Sequence, residues 1–522
     1  MKLKLLFLTI ALPAVSAAQG FNFDAPAGFS LNDENPVPVP SAPEIDRSQT
    51  GGSAENPAAA MRKAYNEYKM ALLNKGASNK DTLRKQASYL ELKRQYDEYA
   101  ARNPQKELET PSYLCQNGGA GKTCDFLPRL KNFMEGSEKV TPEDLALNFS
   151  STDSNSLTPL RDREEFWGNL VRDILAAKSF IHVQMFGMQG DSWGQTLAVL
   201  LAEKAKSGVE VRIVADQWGA RMMKLNKYAS QGLFDYYKQS GVQVVFFNAD
   251  PKDFKNNYHF DHRKYFIMDG KVAYNTGYTM EKHMQEEMFD LAVKVQGPIV
   301  TQLNASFLTN FVYNGGSFRG SDFNSFTQKY LPAQTGAGKQ EATLAINVPT
   351  LQHRVTENYY EKISGAKKSV FVANPYFTDN RIVESLKQAV KNGARVQVIL
   401  PRNPENKLNS KNAMYHAMQL DKSGVEVYLY DGPENYGRLH AKGIAVDDTF
   451  ASIGSCNMDK MSLYHNFEQN IESEDPEFAV KVREHVFGYA LEHSTRYKRP
   501  TGLSALQTVV YGNLTEPFDK VD

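Results

Sequence analysis

The chain has 522 residues, of which 41% are hydrophobic and 11% aromatic, and its 60 Lys and Arg residues balance its 60 Asp and Glu residues. Because a single hydrophobic core stops growing at roughly 250–300 residues, a chain of this length is expected to form more than one core. A net charge of zero provides no global positive field, so nucleic acid is not an obligatory partner, although a local basic groove would suffice for a nuclease.

The first residues of the chain have the pattern of a secretory signal. Lys2 and Lys4 precede an apolar run from residue 5 to residue 12, and small residues follow up to Ala18. This run is far shorter than the ~20 residues needed to cross a bilayer, which favours a cleaved signal peptide over a membrane anchor. Residues 1–18 are therefore predicted to direct export, and the mature protein is expected in the periplasm or outside the cell, soluble or peripheral on a membrane.

Two further segments precede the main body of the chain. Residues 19–57 are rich in Pro, Gly, Ser and Asn and lack apolar periodicity, so they are predicted to form a disordered tether. Between Met61 and Arg102, apolar and aromatic residues recur at helical spacing. We therefore predict a helical extension over residues 58–135, whose aromatic stripes favour packing onto the main body over binding lipid.

The cysteines predict one disulfide. Cys115 and Cys124 flank the glycine-rich segment 117–123, and an exported chain meets an oxidising compartment. The segment is not a Walker phosphate loop, because Gln116 stands where that loop requires glycine; a turn closed by a disulfide accounts better for its glycines. Cys456 is then left over and is expected to be a small buried residue.

Beyond residue 140 the chain repeats itself. Residues 176–186 resemble 366–377, residues 208–216 resemble 393–401, and residues 240–248 resemble 423–431. In each half these strand-like runs alternate with helical stretches, which indicates βα units with mainly parallel strands. Two α/β domains, residues 136–330 and 331–500, are therefore expected to pack about a pseudo-twofold axis, and residues 501–522 would form a tail.

Each half ends with the same group of polar residues, and every pair is separated by 178 positions. The first half carries His262, Lys264, Asp269, Gly277 and Asp290, and the second carries His440, Lys442, Asp447, Ser455 and Glu468. Residues two apart on a strand point to one side, so each half should aim one imidazole and one ammonium at a common point. His259 would lie on the opposite face of the strand from His262, so these two histidines are not expected to form a metal pair.

The acids of the two groups have different expected roles. Asp269 and Asp447 are followed by residues suited to tight turns, so turn formation is favoured over direct catalysis. Asp290 and Glu468 are expected to accept a hydrogen bond from a histidine Nδ1, which fixes the tautomer that leaves Nε2 available.

The pattern HxK(x)4D thus occurs twice, and its second copy is followed by GSCNMD (454–459) and NFE (466–468). These motifs resemble those of the phospholipase D superfamily, and most of all the bacterial cardiolipin synthase group, across roughly residues 140–495. The resemblance implies two tandem phospholipase D-type α/β sandwich domains with one active site between them. Both half-sites then belong to a single chain, which is expected to be a monomer.

The resemblance also implies roles for the motif residues. One histidine attacks phosphorus to give a covalent phosphohistidine, and the other protonates the leaving alcohol and later activates the incoming one. Lys264, Lys442, Ser455 and Asn457 would hold the non-bridging phosphate oxygens. Because the lysines supply the positive charge, neither a metal nor another cofactor is expected.

Family resemblance favours His262 as the nucleophile and His440 as the general acid and base. Asp261 and Asp290 flank or face His262 in this interpretation, and nearby carboxylates would raise its basicity. The phosphate cradle around His440 argues for the opposite assignment, because the better cradle would suit the attacking residue.

Three features depart from the cardiolipin synthase pattern. Thr279 stands where the second half has Asn457, which weakens one phosphate contact, and Met461 stands where the synthases usually have arginine. The two amino-terminal transmembrane helices of the typical synthase are replaced here by a signal and a tether. Hydrolysis or transfer, the headgroup and the acceptor alcohol therefore stay open.

The loop after the strand 209–215 is expected to line the mouth of the site. It contains Trp218, Met222 and Met223, and ligand sites of parallel α/β sheets lie at the carboxyl ends of strands. We predict that these side chains contact acyl chains, and packing in the core is the alternative.

Three functions are compatible with these residues. The first is a phosphodiester-cleaving or phosphatidyl-transferring enzyme that acts on phospholipids at a membrane surface. The second is an exported nuclease of the same fold, and the third is a pseudoenzyme retained for binding. The two complete His/Lys pairs argue against the third.

Overall fold

A computed structural model describes residues 110–118, 121–222, 227–248, 259–318, 322–334, 336–403, 407–433 and 437–515, together with helical residues between 84 and 94. The residues between 84 and 94 belong to a compact unit separate from the one that starts at Thr110. The predicted signal peptide and tether lie outside the described residues, as does most of the predicted extension before Thr110. None of the helices in the described ranges combines the length and hydropathy of a membrane-crossing segment.

From Thr110 onward, the first half of the chain contains ten strands and seven α-helices within the described residues. They are β1 Gln116–Gly118, β2 Gly121–Thr123, α1 Phe126–Glu135, β3 Thr152–Leu160, α2 Arg163–Ala176, β4 Phe180–Met185, α3 Ser192–Lys206, β5 Glu210–Asp216, α4 Lys227–Gln239, β6 Gln243–Phe247, β7 Tyr265–Met268, β8 Val272–Thr276, α5 Lys282–Glu287, β9 Met288–Phe289, β10 Ala292–Gln296, α6 Pro298–Tyr313 and α7 Phe323–Tyr330. Short 3-10 or π turns lie at Ser112–Leu114, Pro142–Leu145 and Trp218–Met222.

The second half repeats much of this order. Its elements are β11 Gln340–Val348, β12 Gln352–His353, α8 Arg354–Gly365, β13 Ser369–Ala373, α9 Asn380–Lys391, β14 Arg395–Pro401, α10 Lys407–Lys422, β15 Glu426–Tyr430, β16 Arg438–Leu439, β17 Gly443–Val446, β18 Phe450–Gly454, β19 Glu468–Ser473, α11 Pro476–Lys481, α12 Tyr489–Glu492, β20 Ser494–Arg496 and α13 Gly502–Thr515. A π turn at Met461–His465 lies between β18 and β19, and a second at Val482–Gly488 connects α11 and α12.

One large sheet runs through both halves. Its strand order is β6-β5-β4-β7-β8-β10-β3 in the first half and β11-β19-β18-β17-β13-β14-β15-β20 in the second, and β3 and β11 join the halves as antiparallel neighbours. β4, β5 and β6 are parallel, as are β13, β14 and β15. The strand orders of the two halves mirror one another about the β3–β11 seam, so the predicted duplicated α/β fold is confirmed.

Local sequence explains where the helices begin and which face they bury. At the start of α9 the Asp379 carboxylate accepts a hydrogen bond from the Ile382 N–H at 2.9 Å, which satisfies one of the N–H groups that a helix start leaves without a partner. Asp162 caps α2 in the same way, at 2.9 Å from the Glu165 N–H. The apolar residues of α9 follow helical spacing and are buried against the sheet: Ile382, Val383, Leu386 and Ala389.

Helix α6 differs from the others because residues 299–311 are all buried. It packs against β3 and β10 of the first half and against β11 of the second. Because these contacts reach strands of both halves, α6 lies over the seam between them.

Residues 110–135 belong to the same compact unit as the sheet. The disulfide between Cys115 and Cys124 spans the hairpin of β1 and β2, and Cys456 is a buried free thiol. Phe126 and Leu130 of α1 lie in the core that also contains residues of α6 and β11. The sequence interpretation grouped residues 110–135 with the helical extension, whereas their apolar side chains are packed with the α/β body. At the other end of the chain, most of the predicted tail is helix α13, which packs on α10.

Candidate active site

The two motif histidines lie on extended segments that are held by the opposite half of the chain. His262 and Lys264 immediately precede β7, and Lys442 immediately precedes β17, so these residues lie just outside the strands on which the sequence pattern placed them. The His262 N–H donates to the Phe467 carbonyl at 3.0 Å, and the His440 N–H donates to the Phe289 carbonyl at 2.8 Å. Each histidine is therefore aligned beside the segment that leads to the acid of the other half.

This arrangement crosses the histidine–carboxylate pairs between the halves. His262 Nδ1 lies 2.9 Å from Glu468 Oε1, and His440 Nδ1 lies 2.6 Å from Asp290 Oδ2. A carboxylate at Nδ1 selects the tautomer that carries hydrogen there and leaves Nε2 for chemistry. The expectation that Asp290 faces His262 is wrong, because Asp290 pairs with His440.

Asp261 also has a different role from the one expected. Its carboxylate is bound by Arg263, with 2.8 Å between Nε and Oδ1 and 2.7 Å between Nη2 and Oδ2, and by Asn310 Nδ2 at 2.9 Å. The Asp261 N–H donates to the Asp216 carboxylate at 2.9 Å, and burial raises the pKa of Asp216 to about 7. This buried network fixes the backbone just before His262, and the sequence pattern gave no sign of it.

Both motif lysines are fully buried beside their histidines. Lys264 Nζ donates to the His262 carbonyl at 2.6 Å, while Lys442 Nζ lies 2.7 Å from His440 Nδ1 and 3.6 Å from Asp290 Oδ2. Burial lowers the pKa of Lys264 to about 7, and the Lys442 charge acts in the same direction against the opposing effect of Glu468. A phosphate anion bound nearby would stabilise the charged form of this lysine.

The electrostatics around the two pairs differ. Burial lowers the pKa of His262, although Glu468 opposes that shift. Burial by itself would raise the pKa of Asp290, but Lys442 and His440 outweigh it and hold the pKa below its usual range. When His262 is neutral and its Nδ1–H donates a hydrogen bond to Glu468, Nε2 carries a lone pair. A nucleophile requires this state.

The lysine shift predicts a basic limit for activity. Because the pKa of Lys264 is about 7, the free enzyme loses this positive charge as the pH rises through that value, and kcat/KM should fall. Initial rates on a soluble short-chain phospholipid between about pH 5 and 9 measure the effect. Lys264→Arg keeps the charge over this range and should remove the basic limb. A wild-type kcat/KM that stays constant up to about pH 9 would contradict this role of Lys264.

The predicted phosphate-binding residues divide into two groups. Asn457 and Thr279 line the cavity that contains both histidines, and Asn457 Oδ1 has no hydrogen-bond partner within the described part of the chain. Ser455 is bound instead to the acid of the dyad, because its Oγ donates to Glu468 Oε2 at 2.5 Å and accepts from the Gln469 N–H at 3.1 Å. Ser455 therefore positions the carboxylate that orients His262.

The counterpart of Ser455 in the first half is Gly277. A Cβ atom on Gly277 would lie 2.1 Å from Asp290 Oδ1, so the glycine leaves room for the Asp290 carboxylate. The serine–glutamate and glycine–aspartate combinations are thus two ways of placing a carboxylate beside a histidine.

The motif aspartates hold the first α/β unit of each half together. Asp269 accepts hydrogen bonds from the N–H groups of residues 178, 179 and 180 at 2.7–3.0 Å, and Asp447 accepts from those of residues 367, 368 and 369 at 2.7–2.9 Å. Both have positive φ, 53° and 54°, in the turns after β7 and β17. Their carboxylates are thereby tied to the chain entering β4 and β13.

Replacing Asp269 with alanine is expected to lower the unfolding free energy by about 2–4 kcal/mol, because three backbone donors lose a charged acceptor and alanine disfavours positive φ. Urea denaturation followed by tryptophan fluorescence measures the change. Asp447→Ala is the matched variant in the second half and should behave alike. If both variants unfold at the wild-type urea concentration, the backbone role is incorrect.

The cavity has a volume of about 340 Å³ and is lined by both halves. Aromatic rings form much of its wall: Phe186, Trp218, Phe260 and Tyr376. The Phe186 ring lies edge-on to His262 with 4.9 Å between ring centroids, and the Tyr376 ring lies edge-on to His440 at 6.4 Å. His259 lines a different cavity.

Of the three residues predicted at the mouth, Trp218 lines the cavity. The side chain of Met222 and the whole of Met223 lie outside the described residues, so their predicted acyl-chain contacts stay predictions. The sequence interpretation missed Phe186 and Tyr376, although both follow the first repeated strand of their half.

It also missed Glu281, His283 and Asp459, which line the same cavity. The 178-residue spacing could have identified Glu281 and Asp459, because they are a matched pair of acids that lie two residues after Thr279 and Asn457.

Comparison with known proteins identifies relatives of this arrangement. Residues 170–311 and 359–487 match the family described as cardiolipin synthase, PLD-like domain. A cardiolipin synthase of Staphylococcus aureus is 30% identical over 345 residues, covering 64% of this chain and 67% of the relative. Cardiolipin synthase 1 of Staphylococcus epidermidis is 28% identical with the same coverage. The crystal structure of the phosphatidylserine synthase of Haemophilus influenzae superposes with a TM-score of 0.54 at 15% identity, over 70% of this chain and 93% of that one.

Proposed function

This chain belongs to the phospholipase D-like family of the cardiolipin synthases, and we propose that it transfers or hydrolyses phosphatidyl groups through a covalent phosphohistidine. The observation that carries the proposal is the pair of crossed His–carboxylate dyads, His262–Glu468 and His440–Asp290, whose histidines line one cavity with Lys264. Two imidazoles with fixed tautomers and opposite roles are what a two-step displacement at phosphorus requires.

In the first step His262 Nε2 attacks phosphorus. A P–N bond forms as the P–O bond to the leaving alcohol breaks, and protonated His440 gives its Nε2 proton to the departing oxygen. The Asp290 carboxylate stabilises the imidazolium form of His440 before that transfer. The lysines stabilise negative charge on the non-bridging oxygens, and the Asn457 amide lies where it can contribute.

In the second step His440 acts as a base. It takes a proton from the incoming hydroxyl, whose oxygen attacks phosphorus, and the P–N bond to His262 breaks. A lipid or alcohol hydroxyl as acceptor gives transfer, whereas water gives phosphatidic acid. The chemistry at phosphorus is the same, so the choice depends on what the cavity binds beside the dyads.

The donor in this proposal is a phospholipid presented at a membrane surface. The relatives that share the family and the greater part of the chain are named as cardiolipin synthases, which supports a lipid substrate over nucleic acid. A net charge of zero is also poor support for a nuclease.

Incubation of the purified chain with vesicles of acyl-labelled phosphatidylglycerol tests the function. Cardiolipin or phosphatidic acid should accumulate, and neither should appear with His262→Ala. Nicking of DNA that weakens steeply with salt, in the absence of either lipid product, would show that the nuclease alternative is right.

We further propose that the protein acts outside the cytoplasm, on the strength of the signal-like residues 1–18. Expression of the full chain in a bacterial host should yield a protein whose first residue is Ala18 or Gln19 in the fraction released from the envelope. Amino-terminal sequencing measures this. A cytoplasmic product that retains Met1 would contradict export while leaving the lipid chemistry untouched.

A further inference from the structure

The active-site cavity contains a third His–carboxylate pair, which belongs to neither dyad. His283 Nδ1 lies 3.3 Å from Glu281 Oε2, and both residues line the cavity with His262 and His440. The Glu281 side chain is only 8% exposed, while that of His283 is 27% exposed. The mechanism above does not use either group.

Glu281 is not needed as a helix cap. It stands at the N-cap position of α5, yet its side chain makes no capping hydrogen bond, and the first N–H of the helix, that of Lys282, donates to Asp191 at 2.7 Å instead. In the second half the matched acid, Asp459, does cap its turn, because its carboxylate accepts from the Ser462 N–H at 3.2 Å. The Glu281 carboxylate is therefore placed by something other than helix geometry.

The space for Glu281 comes from Gly187. A Cβ atom at Gly187 would lie 2.2 Å from Glu281 Oε1. The equivalent residue of the second half is Tyr376, because the Met280 N–H donates to the Gly187 carbonyl at 3.0 Å and the Met458 N–H donates to the Tyr376 carbonyl at 3.1 Å. A glycine in one half thus admits a carboxylate where the other half presents an aromatic ring.

A second difference accompanies this one. His283 of the first half corresponds, at the 178-residue spacing, to Met461 of the second, and both line the cavity. Around two closely matched dyads the halves therefore differ at two positions, since the first has Gly187 and His283 where the second has Tyr376 and Met461, while each half contributes one acid to the wall, Glu281 or Asp459. A phosphodiester is also unequal on its two sides, because one oxygen carries the diacylglycerol and the other carries the headgroup alcohol.

We propose that Glu281 and His283 form a subsite for the hydroxyl groups of a polyhydroxy alcohol, such as the glycerol group of a leaving or incoming alcohol. The Glu281 carboxylate and the His283 imidazole both line the cavity that contains the two catalytic histidines, so both can contact a bound substrate. Hydroxyl groups can donate hydrogen bonds to the carboxylate, and they can either donate to or accept from the imidazole nitrogens.

This inference rests on the proposed function and specifies its acceptor. When the phosphohistidine forms, water and an alcohol compete for it. An alcohol held by a second hydroxyl at Glu281 and His283 would be placed beside phosphorus, which raises its effective concentration over that of water.

A competition experiment isolates the subsite from overall activity. Wild type and Glu281→Gln are incubated with labelled phosphatidylglycerol in an equimolar mixture of deuterated glycerol and propan-1-ol, and the two phosphatidyl alcohols are quantified by mass. Propan-1-ol has a single hydroxyl and cannot use the subsite. The ratio of glycerol to propanol product should fall about tenfold or more in Glu281→Gln, as expected for the loss of a charge-assisted hydrogen bond.

Gly187→Ala provides an independent variant, because it keeps both polar residues but displaces the Glu281 carboxylate, and it should lower the ratio in the same direction. Glu286→Gln is the matched control, since Glu286 lies on α5 outside the cavity lining and its amide can still accept from Trp193 Nε1. An unchanged product ratio in both Glu281→Gln and Gly187→Ala would overturn the subsite. If wild type forms no phosphatidic acid, no cardiolipin and no phosphatidyl alcohol, the proposed function itself fails.

Discussion

Replacing His440 with alanine is expected to stop turnover while leaving His262 able to form its covalent adduct. Turnover of a natural phospholipid should fall about 10³-fold or more, because nucleophile and proton donor act as a unit. A phospholipid with an activated leaving group such as p-nitrophenol needs no proton, so the P–O bond should still break once per molecule. The phosphatidyl group then remains on His262, because no base activates the acceptor.

A burst of one equivalent of p-nitrophenol followed by a stall, together with mass spectrometry of the trapped protein, measures this outcome. The reciprocal variant, His262→Ala, should show neither burst nor adduct. The assignment is consistent with the site, because burial lowers the pKa of His262 and Glu468 lies at its Nδ1, which favours a neutral ring with a lone pair at Nε2. An adduct on His440 in His262→Ala would reverse the roles, and turnover without an adduct in any variant would remove the covalent mechanism.

The repeat made much of the fold and the site accessible from sequence. The apolar segments at 208–216 and 393–401 contain β5 and β14, and the helical stretch predicted between the repeated strands of the second half includes helix α9. The constant spacing of 178 positions selected both histidines, both lysines and both orienting acids. The spacing identified these residues because a duplicated fold places matched residues in equivalent positions. A motif in one half can therefore be checked against the motif in the other.

The partners of those residues could not be read in the same way. His262 and Glu468 are 206 positions apart, and His440 and Asp290 are 150 apart. Their pairing depends on two short parallel contacts, Asp261 with Phe467 and β16 with β9, which appear only when the halves assemble. Sequence spacing within one half gives no information about such contacts.

The contacts of Ser455 could not be read from the motif either. Ser455 was grouped with phosphate ligands, yet its hydroxyl binds the Glu468 carboxylate. The roles of Gly277 and Glu281 were also hidden from the sequence. Gly277 is required because the Asp290 carboxylate occupies the space of a Cβ atom, and the Glu281 carboxylate occupies the space that a Cβ atom at Gly187 would fill. Steric exclusion of this kind depends on distances that a one-dimensional pattern does not contain.

The crossed dyads make a prediction that distinguishes them from pairing within each half. Glu468→Gln should abolish formation of the His262 adduct, because the amide can donate to Nδ1 and so move the imidazole hydrogen to Nε2, where it removes the attacking lone pair. A loss of about 10³–10⁴-fold is expected, in line with tautomer errors in other imidazole catalysts. Asp290→Asn should instead permit the adduct on His262 and slow its breakdown, because it disturbs His440.

Rapid mixing of each variant with the activated lipid separates the two steps, since the burst reports adduct formation and the later steady rate reports its breakdown. The matched control is Glu474→Gln, an exposed acid near the end of β19 that pairs with Lys362 and should leave both phases as in wild type. Each of the two acid variants replaces one carboxylate with an amide of nearly the same size, so their burst amplitudes can be compared directly. If Asp290→Asn removed the burst and Glu468→Gln left it intact, His262 would depend on the acid of its own half, and the crossed arrangement would be wrong.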